Sequence, residues 1–321
     1  MLSRLAGNTV WMARYQERAE SLARLTAVTQ HLSLLPEYAG NAETPWLDAL
    51  AVLGGVAGFT ELRGEVTPAA AVDYLLIDRE NPSSLFCCLR AARENARTAR
   101  HLLTEAYWDA MNFTWLSAQA LDADELAVRG VDDVAQWAME RCYLMRGTAD
   151  DLLRDDVPHA LAIGQALERG DHVARLLAVF LRGELADPDV AVVPGTPIYR
   201  RWEALLAASA LDESYRRAHT ATIDPEKALR LILTHPTSPR SMTVSLRRVV
   251  QGLDGLFGLQ RVPPATREVI AKLEEHLADA NDGALLTGHL GTYLTTLTSI
   301  TAEVSACVLS DLQSSSLLHA T

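Results

Sequence analysis

This sequence predicts an all-α fold, an internally duplicated multi-helix bundle of two pseudo-symmetric halves, and three observations carry the prediction. A helix signature is written twice about 151 residues apart, as Glu17-Arg18-Ala19-Glu20-Ser21-Leu22-Ala23-Arg24-Leu25 and as Glu168-Arg169-Gly170-Asp171-His172-Val173-Ala174-Arg175-Leu176. Repeats of this kind decide how the rest of a chain is read. Nearly every long segment has a helical period and is rich in the strong helix formers Ala, Leu, Arg and Glu. Strand-like sequence is almost absent, its clearest run being Val190 to Val193 in a Pro/Gly linker. About ten to twelve helices and no sheet are expected.

The first element runs from Leu5 to Leu35, with Trp11, Tyr15, Leu22 and Leu25 at helical steps and Pro36 as the stop. Trp46-Leu47-Asp48-Ala49-Leu50 reads as a short helix and resembles Trp202-Glu203-Ala204-Leu205-Leu206. Asn81-Pro82-Ser83-Ser84 resembles Ser238-Pro239-Arg240-Ser241 at an offset of about 157 residues. Pro fits the first turn of a helix and Asn81 or Ser238 can cap it. Such a start also offers free N–H groups to an anion, which makes Ser83, Ser84, Arg240 and Ser241 candidate anion-binding residues as well as ordinary helix starts. Because the three blocks keep their order, repeats at 1–156 and 157–321 are expected, and because either half alone would leave an unpaired charged stripe, the two are expected to form one continuous domain over residues 1–321.

The densest basic run is Arg90 to Arg100, where Arg93, Arg97 and Arg100 share one face of a helix with an apolar opposite face. Its arginines need carboxylates or a ligand. On the two signature helices, Arg14, Glu17, Ser21 and Arg24 form one stripe, and Gln165, Glu168, His172 and Arg175 form the other. Facing stripes would make a polar seam in which arginine pairs with carboxylate through parallel hydrogen bonds. That seam either satisfies itself or keeps spare arginine donors for a carboxylate or phosphate. All six tryptophans are expected to fill the core.

With 321 residues and 49% hydrophobic content the chain can bury a large core. A net charge of −12 disfavours nucleic acid, and no segment has the uninterrupted apolar length of a membrane span. The start lacks an apolar signal core, and the four cysteines show no CxxC spacing, so a reducing cytoplasm is expected. Glu168 and His172 could hold half a metal site, but no second pair follows, so no metal is expected. No phosphate loop, dinucleotide fingerprint or nucleophile elbow is present, and no cofactor is bound by a recognisable motif.

At Ser3-Arg4-Leu5-Ala6, Trp11-Met12-Ala13-Arg14-Tyr15 and Glu17 to Arg24, the chain resembles the bacterial alpha-E family. The likeness continues through Asp78-Arg79-Glu80-Asn81-Pro82-Ser83-Ser84, Ala92 to Arg97, Trp108 to Asn112, Leu167-Glu168-Arg169 with Asp171, and Pro239-Arg240-Ser241. Ala13 and Gln165 depart from the family's usual Gly and Gly-Arg positions. The resemblance implies an all-helical protein whose gene stands beside a circularly permuted ATP-grasp protein and often a transglutaminase-like protein. It implies ATP-dependent peptide or amide bond formation, with ATP and Mg²⁺ brought by the partner. Three roles follow. As a partner or substrate-binding component, the protein would hold a carboxylate or phosphate with Arg14, Arg24, Arg93, Arg97 and Arg175, while Glu17 and Glu168 orient them or shuttle a proton. As an autonomous enzyme, it would use Glu17 or Glu168 as base. As a docking module, its seam would only hold the halves together.

Overall fold

A computed structural model describes residues 3–153, 156–182, 191–219, 222–280 and 289–313. Among them are fifteen α-helices and no strand. The surplus over the expected ten to twelve lies in the connectors. Short helices such as Val56–Arg63, Ala123–Arg129 and Asp212–Ala218 are too brief for a helical period to show in sequence. Val190 lies outside the described residues, as do His319 and the Ser314-Ser315-Ser316 tail; residues 191–193 form no strand.

Two long helices organise the bundle. Helix α1 is Ser3–Ser33 and α9 is Asp156–Phe180. Both carry the duplicated signature, and they pack against one another. Gly164 sets the distance of that crossing. A Cβ built there would lie 2.3 Å from the Val10 carbonyl oxygen and 2.8 Å from the Ala13 Cβ, so no larger residue fits.

Seven helices follow α1 and six follow α9 among the described residues. After α1 come α2 (Glu43–Val52), α3 (Val56–Arg63), α4 (Pro68–Leu76), α5 (Leu85–Thr98), α6 (Glu105–Ala118), α7 (Ala123–Arg129) and α8 (Val131–Thr148). After α9 come α10 (Pro197–Ala208), α11 (Asp212–Ala218), α12 (Pro225–Leu233), α13 (Met242–Phe257), α14 (Pro264–Asp279) and α15 (Leu290–Gln313). Helix α1 packs on α5 and α8, and α9 packs on α13 and α15.

Two hydrophobic cores result. One is built around Trp46, Phe59, Leu75, Leu85 and Tyr107, the other around Trp202, Tyr215, Leu231, Leu246 and Leu297, and α1 and α9 contribute to both. Trp46 and Trp202 are fully buried. The other four tryptophans are half-buried, and Trp108, Trp115 and Trp137 among them pack against the first core as expected. Three of the four also carry a guanidinium on a ring face, Arg14 on Trp11, Arg93 and Arg100 on Trp108, and Arg129 on Trp137.

The Pro-x-Ser blocks lie one turn earlier than a helix start would. The Ser84 amide bonds the Asn81 carbonyl and the Ser241 amide bonds the Ser238 carbonyl, so Pro82 and Pro239 hold the second position of a tight turn before the helix. The N-caps are Ser84 and Ser241, whose hydroxyls accept from Cys87 N and Val244 N. Each hydroxyl also donates backward, Ser84 to the Asp78 carbonyl at 2.6 Å and Ser241 to the His235 carbonyl at 2.7 Å. Both are completely buried. Ser84 and Ser241 therefore have their hydrogen bonds committed to the fold, which corrects their reading as anion-binding residues.

Candidate functional site: the α1–α9 seam

The seam is built from reciprocal Glu–Arg pairs. Arg169 on α9 donates Nε and Nη2 to the two oxygens of Glu17 on α1, each at 2.8 Å. Arg18 on α1 donates Nε and Nη2 to Glu168 on α9, at 2.5 and 3.0 Å. Each Glu-Arg dipeptide thus gives its carboxylate to the other dipeptide's guanidinium. The two-pronged geometry is the strong form of this contact.

More arginines surround each pair. Arg14 adds a 2.8 Å bond to Glu168 from Nε. Arg240 reaches Glu17 at 3.3 Å and also binds Glu20, which is completely buried and further paired with Arg146 and Arg24. Arg175 pairs with Asp171 at 2.9 Å. Seven guanidiniums (Arg14, Arg18, Arg24, Arg146, Arg169, Arg175, Arg240) thus meet four carboxylates (Glu17, Glu20, Glu168, Asp171) in these contacts.

Burial alone would raise the Glu17 carboxyl, but Arg169 and Arg240 outweigh it and hold the group down to about 2. Burial of Glu168 is likewise outweighed by Arg18 and Arg14, and its carboxyl lies below the usual range. Both glutamates are fixed anions, unlike the raised-pKa carboxylate that a general base requires. Asp171 behaves in the opposite way, because burial raises it more than Arg175 lowers it.

The seam is not closed everywhere. Arg18, Ser21, Leu53, Ser83, Glu168, His172 and Arg175 line a cavity of about 80 Å³. Two of the lining residues, Arg175 and His172, each hold a buried nitrogen (Nε and Nε2) without a hydrogen-bond partner among the described residues, as do Arg24 and Arg146 elsewhere in the seam. His172 is only 5% exposed. Burial, followed by the charge of Arg175, pushes its imidazole down to about 3, so it is neutral at pH 7. Ser83 stands beside the cavity at the N-terminal end of α5, in a loop tied by Asp78, whose Oδ1 accepts from the amides of Glu80 and Asn81.

Of the residues singled out in sequence, the structure brings Arg14, Glu17, Arg24, Glu168, Arg175, Arg240 and Ser83 to the seam. Arg93 and Arg97 do not reach it. The inner face of α5 is Leu85, Cys88, Leu89, Ala92 and Ala96, which turns Arg93 toward Glu94 and Asn112 and leaves Arg97 exposed with Glu94. Arg18, Glu20, Arg146 and Arg169 escaped the sequence reading as seam residues. The repeated Glu-Arg dipeptide was the signal for Arg18 and Arg169. For Arg146, which arrives from α8, no local signal exists. Among the described residues no three His, Cys, Asp or Glu stand together as metal ligands would.

A bundle whose two longest helices exchange Glu–Arg pairs at their crossing is an all-α domain organised by that dipeptide. The chain belongs to the alpha-E family, described as a predicted alpha-helical domain with a conserved ER motif, whose model matches residues 1–310. Among similar proteins are uncharacterized protein Mb2597 of Mycobacterium bovis and uncharacterized protein Rv2567 of Mycobacterium tuberculosis. Each is 24% identical over 274 residues, covering 79% of this chain and 30% of its own length. The chain therefore spans less than a third of the curated relatives it matches. No solved structure matches it. No helix among the described residues is long and apolar enough to cross a membrane.

Proposed function

We propose that the protein is the substrate-binding partner of an ATP-grasp-type amide or peptide ligase, and that its Arg/Glu seam holds a carboxylate or phosphate group. The observation that carries this reading is the seam cavity, two of whose lining residues, Arg175 and His172, hold a buried nitrogen without a partner among the described residues. Unpaired buried donors cost about 1–3 kcal/mol each, so a lattice meant only to hold helices together gains nothing by leaving them. The surplus of guanidiniums over carboxylates points the same way. The association with a circularly permuted ATP-grasp protein, and often a transglutaminase-like protein, comes from the family resemblance, and the partner supplies ATP and Mg²⁺.

Glu17 and Glu168 orient arginines in this reading and transfer no proton, since both are locked as anions between guanidiniums. The role of base in an autonomous enzyme is correspondingly weakened for both. The test is mass spectrometry of reactions containing ATP, Mg²⁺ and amino acids, with the ATP-grasp protein in the presence and absence of this one. An amide product that requires both proteins is expected. Product formed equally well without this protein sinks the proposal and favours a docking module.

A further inference from the structure

The place in the second repeat that corresponds to the cavity is filled by protein, and the contrast points to the ligand. There, Arg240 inserts its guanidinium between Glu17 and Glu20. The turns Asn81–Ser84 and Ser238–Ser241 are closed by the same backbone bond, so Ser83 stands where Arg240 stands. The acids facing Ser83 need no such cation. Glu168 already turns its two oxygens to Arg14 and Arg18, and Asp171 is paired with Arg175. Three guanidiniums here serve two carboxylates, and donors remain.

A cavity of about 80 Å³ holds between two and three times a water's share of liquid volume, roughly 30 Å³. That is room for one small oxyanion group. Groups reach it from three sides: Arg18 from α1, His172 and Arg175 from α9, and Ser83 with the N-terminal end of the 14-residue α5. Donors from α9 and from the Ser83 hydroxyl, with the Arg18 charge on the third side, suit a group that carries more negative charge and more oxygens than a carboxylate. The helix end adds a positive dipole terminus.

We propose that this cavity is a phosphoryl-binding site, and that Ser83 keeps it open by being short where Arg240 is long. This rests on the reading of the seam as a binding site given above. The Arg175 guanidinium and the neutral His172 imidazole, both on the cavity's lining, donate to the phosphoryl oxygens once the group is seated. Arg18 contributes charge while it stays on Glu168. The group is either free phosphate or a phosphoryl carried on a small ligand.

The test is titration of the full-length protein with inorganic phosphate, acetyl phosphate and acetate, followed by calorimetry. Saturable binding of a phosphoryl compound is expected. Ser83→Arg, which builds the second repeat's plug into the first, and Arg175→Met should each weaken it about tenfold or more, the scale of one lost charge-assisted contact. Arg97→Ala, on the outer surface, should leave it unchanged. Far-UV circular dichroism confirms that each variant is folded, and Arg175→Met carries the test if Ser83→Arg is not. Acetyl phosphate binding more tightly than inorganic phosphate assigns the group to a carried ligand, and the reverse assigns it to free phosphate. No saturable phosphoryl binding, binding indifferent to both cavity variants, or acetate bound more tightly than either phosphate overturns the proposal. Phosphoryl binding without any effect on ligase product would instead remove the partner reading and leave the site standing.

Discussion

Glu17 and Arg169 show how the seam divides stabilisation from function at the level of single residues. Both are almost wholly buried, and each would be an uncompensated charge without the other. Removing one partner of such a pair costs about 3–5 kcal/mol, so Arg169→Ala should lower stability by that order in chemical denaturation. A cycle with Glu17→Gln should give strong coupling. Acid should weaken the fold in two windows. The imidazole of His172 lies below its ordinary value in the folded protein, so its contribution is complete above about pH 6.5 and declines as pH falls toward 3. The carboxyl of Glu17 is also depressed, so its contribution is complete above about pH 4.5 and is lost as pH falls toward 2. Denaturation curves between pH 7.5 and pH 4.5 should show a loss on the order of 2 kcal/mol that His172→Gln abolishes. A flat wild-type profile over that range would contradict the buried neutral imidazole. The stripes of Glu17 and Glu168 were legible in sequence from their helical spacing. Their partners were not fully so, because a helix face predicts which side chains align and not which neighbouring helix supplies the opposite charge.

At the scale of elements, small residues set how closely the helices approach. Gly164→Ala places a methyl against backbone and the Ala13 side chain, and should cost about 1–3 kcal/mol in a thermal melt. Gly170→Ala meets nothing nearer than 3.8 Å, and should be neutral or stabilising by up to about 1 kcal/mol through helix propensity. Equal effects would refute the close crossing. After α10, Ala210 holds the left-handed conformation at φ 54°, the place that Gly54 fills after α2 at φ 67°. Ala210→Gly should therefore raise stability by up to about 1–2 kcal/mol. Long helices were readable because their apolar period persists over many turns. The start of α5 and α13 was misplaced because proline favours both a helix's first turn and a tight turn before it; only the buried backward bonds of Ser84 and Ser241 separate the two.

For the molecule as a whole, matched turns precede α5 and α13, and reciprocal Glu–Arg pairs join α1 to α9. What differs between the repeats carries the functional reading, namely Arg240 in one and Ser83 in the other, with Gln165 where Arg14 has its counterpart. In the mycobacterial relatives the matching region is a minor part of a longer chain. The fold class was legible from composition and period alone. The cavity was not, because it exists only where two distant helices and one loop meet. The most direct measurement is product formation by the ATP-grasp protein in the presence of wild-type or Ser83→Arg protein, with melting temperatures recorded on the same samples. A cavity that serves the ligase predicts loss of product at an unchanged melting temperature. Full product with the cavity plugged would contradict it.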